Sequence, residues 1–120
     1  MTARDFIRAQ TTVAAAPLVP EIALHLATEI TPIWQATEAF LAAHGVEPPF
    51  WAFAWPGGQA LARAILDAPE TVRGLSVLDF AAGCGIAAIA AAMAGAARVE
   101  AAEIDPIAAE AVRLNAALNG

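Results

Sequence analysis

The chain has 120 residues, 59% of them apolar, and a formal charge of −6 from six arginines, twelve acids and no lysine. Charged residues make up only 15% and large apolar residues are well spread, which excludes a disordered chain. The lone cysteine, Cys84, excludes an internal disulfide scaffold and makes the cytoplasm the expected compartment. Six scattered arginines on an acidic chain argue against nucleic acid or anionic lipid as a partner.

Alanine supplies 34 of the apolar residues, so the expected core is thin, enough for one cluster and not for two. Residues 80–97 carry no charge and are long enough to raise the question of a membrane span. The run is rich in Ala and Gly and opens on the turn Ala82-Gly83-Cys84-Gly85, so no span is expected. No secretory leader is legible either, because the apolar stretch 13–19 is short and is interrupted by Pro17 and Pro20.

In chain order, the first 16 residues are weakly patterned and read as a mobile lead-in. Ile22, Leu24 and Leu26 alternate with smaller or polar residues and predict a short strand. Thr31 as N-cap, Pro32 at the first helical position and Gly45 as the stop predict a helix. Residues 1–48 form a cap segment on this reading. Pro48-Pro49 then breaks the chain, and Phe50, Trp51, Phe53 and Trp55 crowd together before the turn at Pro56-Gly57-Gly58. A helix is predicted over 59–68, closed by Pro69. From there the pattern switches to a buried strand at 75–80, a glycine turn at 81–85, a helix at 86–94, a strand at 98–103, and a last helix capped by Asp105 with Pro106 behind it. Strand, helix, strand, helix at this spacing predicts a βαβα unit, an α/β fold with a parallel sheet. Residues 49–120 carry this unit, whose element order is Rossmann-like.

The chemistry concentrates where the first strand of this unit meets its helix. Gly83 and Gly85, either side of Cys84, permit a tight turn, and they also let backbone N–H groups and a helix N-terminus approach a ligand. Glu103 lies at the end of the second strand, 18 residues after Gly85, where an acid can accept both hydroxyls of a ribose. Gly83-x-Gly85-x-x-Ala88 also fits the looser pattern of a nicotinamide or flavin site. Asp79 favours a different ligand. A carboxylate at the strand end repels a pyrophosphate and attracts a cationic amino group, so S-adenosylmethionine, with its ammonium and sulfonium, suits the turn better. Asp79 could otherwise serve as a helix cap, and Trp51, Phe53 and Trp55 could be either core residues or a wall for a cation. His25 and His44 have no partner at ligand spacing, and no metal site is legible.

The segment Val77-Leu78-Asp79-Phe80-Ala81-Ala82-Gly83-Cys84-Gly85 resembles the first motif of class I S-adenosylmethionine-dependent methyltransferases, and Glu103-Ile104-Asp105-Pro106 resembles their second, acidic motif. Pro49-Phe50-Trp51-Ala52-Phe53-Ala54-Trp55-Pro56-Gly57-Gly58-Gln59-Ala60-Leu61, together with the segments 83–91 and 104–108, narrows the resemblance to the electron transfer flavoprotein beta-subunit lysine methyltransferases. The resemblance implies an enzyme that methylates a protein lysine. It implies that Asp79 and the backbone of Gly83, Cys84 and Gly85 hold the methionine part of the cofactor. Glu103 would take the ribose hydroxyls, with Ile104 on the adenine, Asp105 beside it, and Trp55 lining the methionine end. Ala81 replaces the usual first glycine of the motif, which is tolerable at negative φ. The groups that orient and deprotonate a lysine are implied after a fourth strand, so no catalytic residue is legible. The chain is accordingly expected to be an inactive N-terminal portion with an incomplete sheet, whose open edge invites self-association. The rival readings are a nicotinamide- or flavin-dependent oxidoreductase and a non-catalytic interaction module.

Overall fold

The structure is a computed structural model and describes residues 2–28, 43 and 49–120. The helix expected between Thr31 and Gly45, with His44, lies outside the described residues except for Ala43.

The chain opens with order. Helix α1, Ala3–Gln10, is held by a reciprocal cap in which the Thr2 hydroxyl accepts from the Asp5 N–H and the Asp5 carboxylate accepts from the Thr2 N–H. Strands β1, Thr12–Ala16, and β2, Val19–Leu26, form an antiparallel hairpin, with Thr12 opposite Leu26 and an irregularity between Ala15 and Ala16. This corrects the mobile lead-in. Its weak hydropathy pattern arises because β1 is mostly alanine and is stabilised by pairing rather than by large side chains. The predicted strand at 22–26 is real but begins earlier, at Val19.

A short 3-10 turn at Phe50–Ala52 leads to α2, Pro56–Asp67, three residues ahead of the predicted start. Pro56 occupies its first turn, where a missing N–H costs nothing, and the two glycines expected in a turn are helical. Gly58 has a packing reason, since a Cβ there would lie 3.3 Å from Ile86 Cγ2. Then β3, Ser76–Phe80, pairs in parallel with β4, Arg98–Ala102, from Ser76 opposite Arg98 to Phe80 opposite Ala102. Between them runs α3, Ile86–Met93, and α4, Pro106–Leu118, follows. The Asp105 side chain caps α4 by accepting from the Ile107 N–H at 2.9 Å. The uncharged run 80–97 is therefore a strand end, a turn, an eight-residue helix and a second turn, and among the described residues no helix is long and apolar enough to cross a membrane.

Two expectations about burial change. Strand β3 is not buried on both faces. Val77 and Asp79 are half-covered, while Leu78 and Phe80 on the opposite face are 60% and 82% exposed. The reason is that α3 covers one face, where Asp79 accepts from the Ala88 N–H, while the described residues leave the face of Leu78 and Phe80 largely uncovered. The apolar core also falls into two clusters. One joins the hairpin (Val19, Ile22, Leu24) to α2 and α3 (Ala62, Ile65, Ile86, Ile89), and the other joins Ile7 and Trp51 to Ala108, Ala111 and Leu114 of α4. Residues on both sides of the 48/49 boundary share each cluster, so the cap segment packs against the βαβα unit.

Candidate functional site

The turn between β3 and α3 has an unusual backbone. Ala81, Gly83 and Gly85 have φ of 56°, 59° and 84°. The two glycines differ in what they permit. At Gly83 a Cβ would meet nothing within 4 Å, so the space above the turn is open. At Gly85 a Cβ would sit 3.0 Å from Val112 Cγ1, so this glycine is required for close packing of the turn on α4. Its expected duty, clearing the way for a ligand, is corrected to that extent. The condition attached to Ala81 is also not met, because its φ is positive. A left-handed alanine costs roughly 1–2 kcal/mol, part of which a glycine returns through unfolded-state entropy. Ala81→Gly should therefore raise stability by about 1 kcal/mol, read as a higher denaturation midpoint at unchanged slope.

A cavity of about 240 Å³ opens over the turn, lined by Asp79, Ala81, Gly83 and Cys84 on one side and Trp55 and Gly57 on the other. Four of the predicted site residues are thus brought together. Asp79 projects from the half-covered face of β3, and one of its oxygens accepts from the Ala88 N–H of α3 at 3.1 Å. Burial holds its carboxyl above the ordinary value, and the negative charge of Glu103 pushes the same way, against the Ala88 N–H. Glu103 is fixed by two backbone donors, the Gly83 N–H at 3.0 Å and the Asp105 N–H at 3.4 Å. It therefore clips the glycine turn to the turn after β4. Trp55 is half exposed, and its indole N–H donates to the Phe50 carbonyl at 2.9 Å. Phe53 lies 5.4 Å from it, ring to ring. Of the three aromatics left open, Trp51 is core, Phe53 packs against the same cluster, and Trp55 lines the cavity. Cys84 is present in the turn through its backbone alone, since its thiol is buried in the first cluster and burial pushes it up.

Ile104 is fully exposed, a bare apolar side chain next to Glu103, and Asp105 caps α4; neither lines the cavity. The ion pairs among the described residues leave Asp79 and Glu103 without an arginine. A larger cavity of about 430 Å³ between α3, β4 and α4 has no charged lining residue, which leaves the chemistry at the turn. Sequence reasoning missed Asn115 and His25. Both are buried. The signal for Asn115 is its spacing, in register with the buried Ala108 and Ala111 on the inner face of α4.

A parallel strand pair joined through a left-handed glycine turn, with an acid at the end of each strand, fits the first half of a class I methyltransferase fold. A family model described as ribosomal protein L11 methyltransferase (PrmA) matches residues 60–120. The electron transfer flavoprotein beta subunit lysine methyltransferase of Xenopus laevis is 51% identical over 97% of this chain, and this chain covers 46% of it. Its counterpart of the same name in Homo sapiens is 53% identical over 85% of this chain, which covers 38% of that protein. A ribosomal protein L11 methyltransferase of Thiobacillus denitrificans is 59% identical over 38% of this chain and 16% of its own length. The chain belongs to the ribosomal protein L11 methyltransferase (PrmA) family. It spans less than half the length of the curated relatives it matches.

Proposed function

We propose that this chain carries the S-adenosylmethionine site of an enzyme that methylates a lysine of a protein, and that the substrate is a flavoprotein subunit. The observation that carries the cofactor half is the pair of carboxylates, Asp79 and Glu103, at an open turn where no arginine among the described residues pairs with them. Such a site fits an ammonium and a pair of hydroxyls and opposes a pyrophosphate, which disfavours a nicotinamide or flavin ligand. The lysine substrate is supported by the relatives named for that activity, whose similarity runs over 97% and 85% of the chain, against 38% for the ribosomal protein L11 methyltransferase. A buried free thiol at Cys84 suits a reducing compartment, and we place the protein in the cytoplasm.

When bound, S-adenosylmethionine supplies an electrophilic methyl on a sulfonium. The chain's residues bind and orient. Asp79 offers the carboxylate oxygen not taken by Ala88 to the ammonium. Glu103, held by two amides, accepts the ribose hydroxyls. Ile104 covers the adenine, and Trp55 closes the methionine end, where its ring face also favours positive charge. The backbone of Gly83, Cys84 and Gly85 shapes the floor.

Two measurements test this reading. Calorimetry on the complete protein should show binding of S-adenosylhomocysteine and none of NADH; the reverse would overturn the cofactor assignment. Labelled methyl transfer to a purified electron transfer flavoprotein beta subunit should place the label on lysine; label on another residue type would overturn the substrate class.

The position of Asp79 adds a pH signature. Its folded-state value is raised, so the folded chain holds that proton more tightly than the unfolded chain. Stability therefore falls as pH rises through the window between the unfolded and folded values. Asp79→Asn removes the buried charge while keeping an acceptor for Ala88. It should not destabilise the chain at neutral pH, yet should weaken S-adenosylhomocysteine about 10-fold, by loss of one hydrogen bond to a charged group. Wild-type affinity should decline as pH drops through the raised Asp79 value, and the variant should lose that slope.

A further inference from the structure

Asn115 on α4 and Asn119 at its C-cap stand one turn apart and face the hairpin. The Asn119 amide brackets Ala23, accepting from its N–H at 2.9 Å and donating to its carbonyl at 2.8 Å. Asn115, 0% exposed, accepts from the His25 N–H at 2.7 Å and donates to the Cys84 carbonyl at 2.8 Å. Strand β2 thus has β1 on one edge and two side-chain amides on the other, which satisfy backbone groups that a third strand would otherwise take.

The bond to Cys84 does something the others do not. The Cys84 carbonyl and the Gly85 N–H belong to one peptide plane, and Gly85 N–H donates to the Ala82 carbonyl at 2.9 Å. This plane joins Cys84 to Gly85, and the φ of Gly85 is positive, where glycine leaves the backbone free to rotate. Pinning its carbonyl from a buried side chain fixes the plane on both sides. We propose that Asn115 is a positioning residue for the glycine turn, setting the peptide plane that floors the cofactor site and coupling it to the N-terminal hairpin. The effect on the cofactor rests on the function proposed above, whereas the effect on the turn does not.

Amide hydrogen exchange of the unmodified complete protein gives the first test. The Gly85 and His25 amides should exchange through one shared opening, with the same denaturant dependence; exchange of Gly85 through a separate, cheaper opening overturns the coupling. Two matched variants give the second. Asn115→Ala should speed Gly85 exchange relative to β1 amides about 10-fold. It should also weaken S-adenosylhomocysteine by a similar factor. Asn119→Ala, which removes the two bonds to Ala23 and one to the Asn115 backbone carbonyl but none to the turn or to the Asn115 side chain, should lower the melting temperature while leaving Gly85 exchange and affinity unchanged. Equal effects of the two variants on Gly85 would reduce Asn115 to packing and overturn the proposal. If the wild type binds no S-adenosylhomocysteine, the cofactor reading fails, and Gly85 exchange still decides the role of Asn115.

Discussion

Gly85→Ala should destabilise the chain by about 2–4 kcal/mol. Two independent costs add. The residue has φ of 84°, a region in which a side chain costs roughly 1–2 kcal/mol. The new methyl would also stand 3.0 Å and 3.2 Å from the two γ-carbons of Val112, well inside ordinary contact. Relieving that contact means moving α4, which is held by Asn115 and Asn119, so overpacking of roughly 1–2 kcal/mol is the expected share. Denaturant unfolding of the chain would read the sum.

The two costs can be separated. Val112→Ala removes both γ-carbons and opens room for the methyl. In the Gly85→Ala background it should recover the packing share and none of the backbone share. A double-mutant cycle should thus show coupling of about 1 kcal/mol or more in the favourable direction. Additive losses would mean that the cost is entirely conformational. Gly83→Ala is the internal control, with a similar φ of 59° and no neighbour, so it should show the smaller, backbone cost alone.

What could be read from sequence follows from how local each feature is. The turn and its acids were legible because β3, the glycines and α3 are contiguous, and because Asp105-Pro106 announces the start of α4. The sharing of Gly83 N–H with Glu103 was not, since it joins residues 20 apart through a geometry only the paired strands create. Apolar runs reveal that a strand exists without revealing which face finds a neighbour. Leu78 and Phe80 were therefore read as buried when only Val77 and Asp79 face α3. The hairpin strand Thr12–Ala16 was invisible for the opposite reason, because alanines carry little burial signal. A polar residue on a helix is read as solvated, so Asn115 needed the structure to show that its amide replaces a strand. Ala81 is the case in which a motif position was recognised and its backbone misjudged. The likeness to the glycine motif was a better guide to φ than the residue type.

Glu103→Ala separates binding from folding most sharply, and its effect on affinity should be the largest at the site. The carboxylate holds two backbone donors, Gly83 N–H and Asp105 N–H, both in partly exposed positions where water can replace it. Stability should consequently fall by only about 1 kcal/mol. The loss for the cofactor is twofold: the acceptor for the ribose hydroxyls disappears, and the turn carrying Gly83 is no longer tied to the end of β4. Hydrogen bonds to a charged acceptor contribute about 1.5–3 kcal/mol each, so S-adenosylhomocysteine should bind about 100-fold more weakly. Glu103→Gln keeps one acceptor oxygen and gives up the charge. It should bind about 10-fold more weakly than wild type, because an amide cannot receive from Gly83 and Asp105 at once. The order wild type, Gln, Ala in affinity, with melting temperatures within about 5 °C of one another, is the expected calorimetric result. A large drop in stability with affinity unchanged would instead make Glu103 a clip between two turns and move the ribose elsewhere on the molecule.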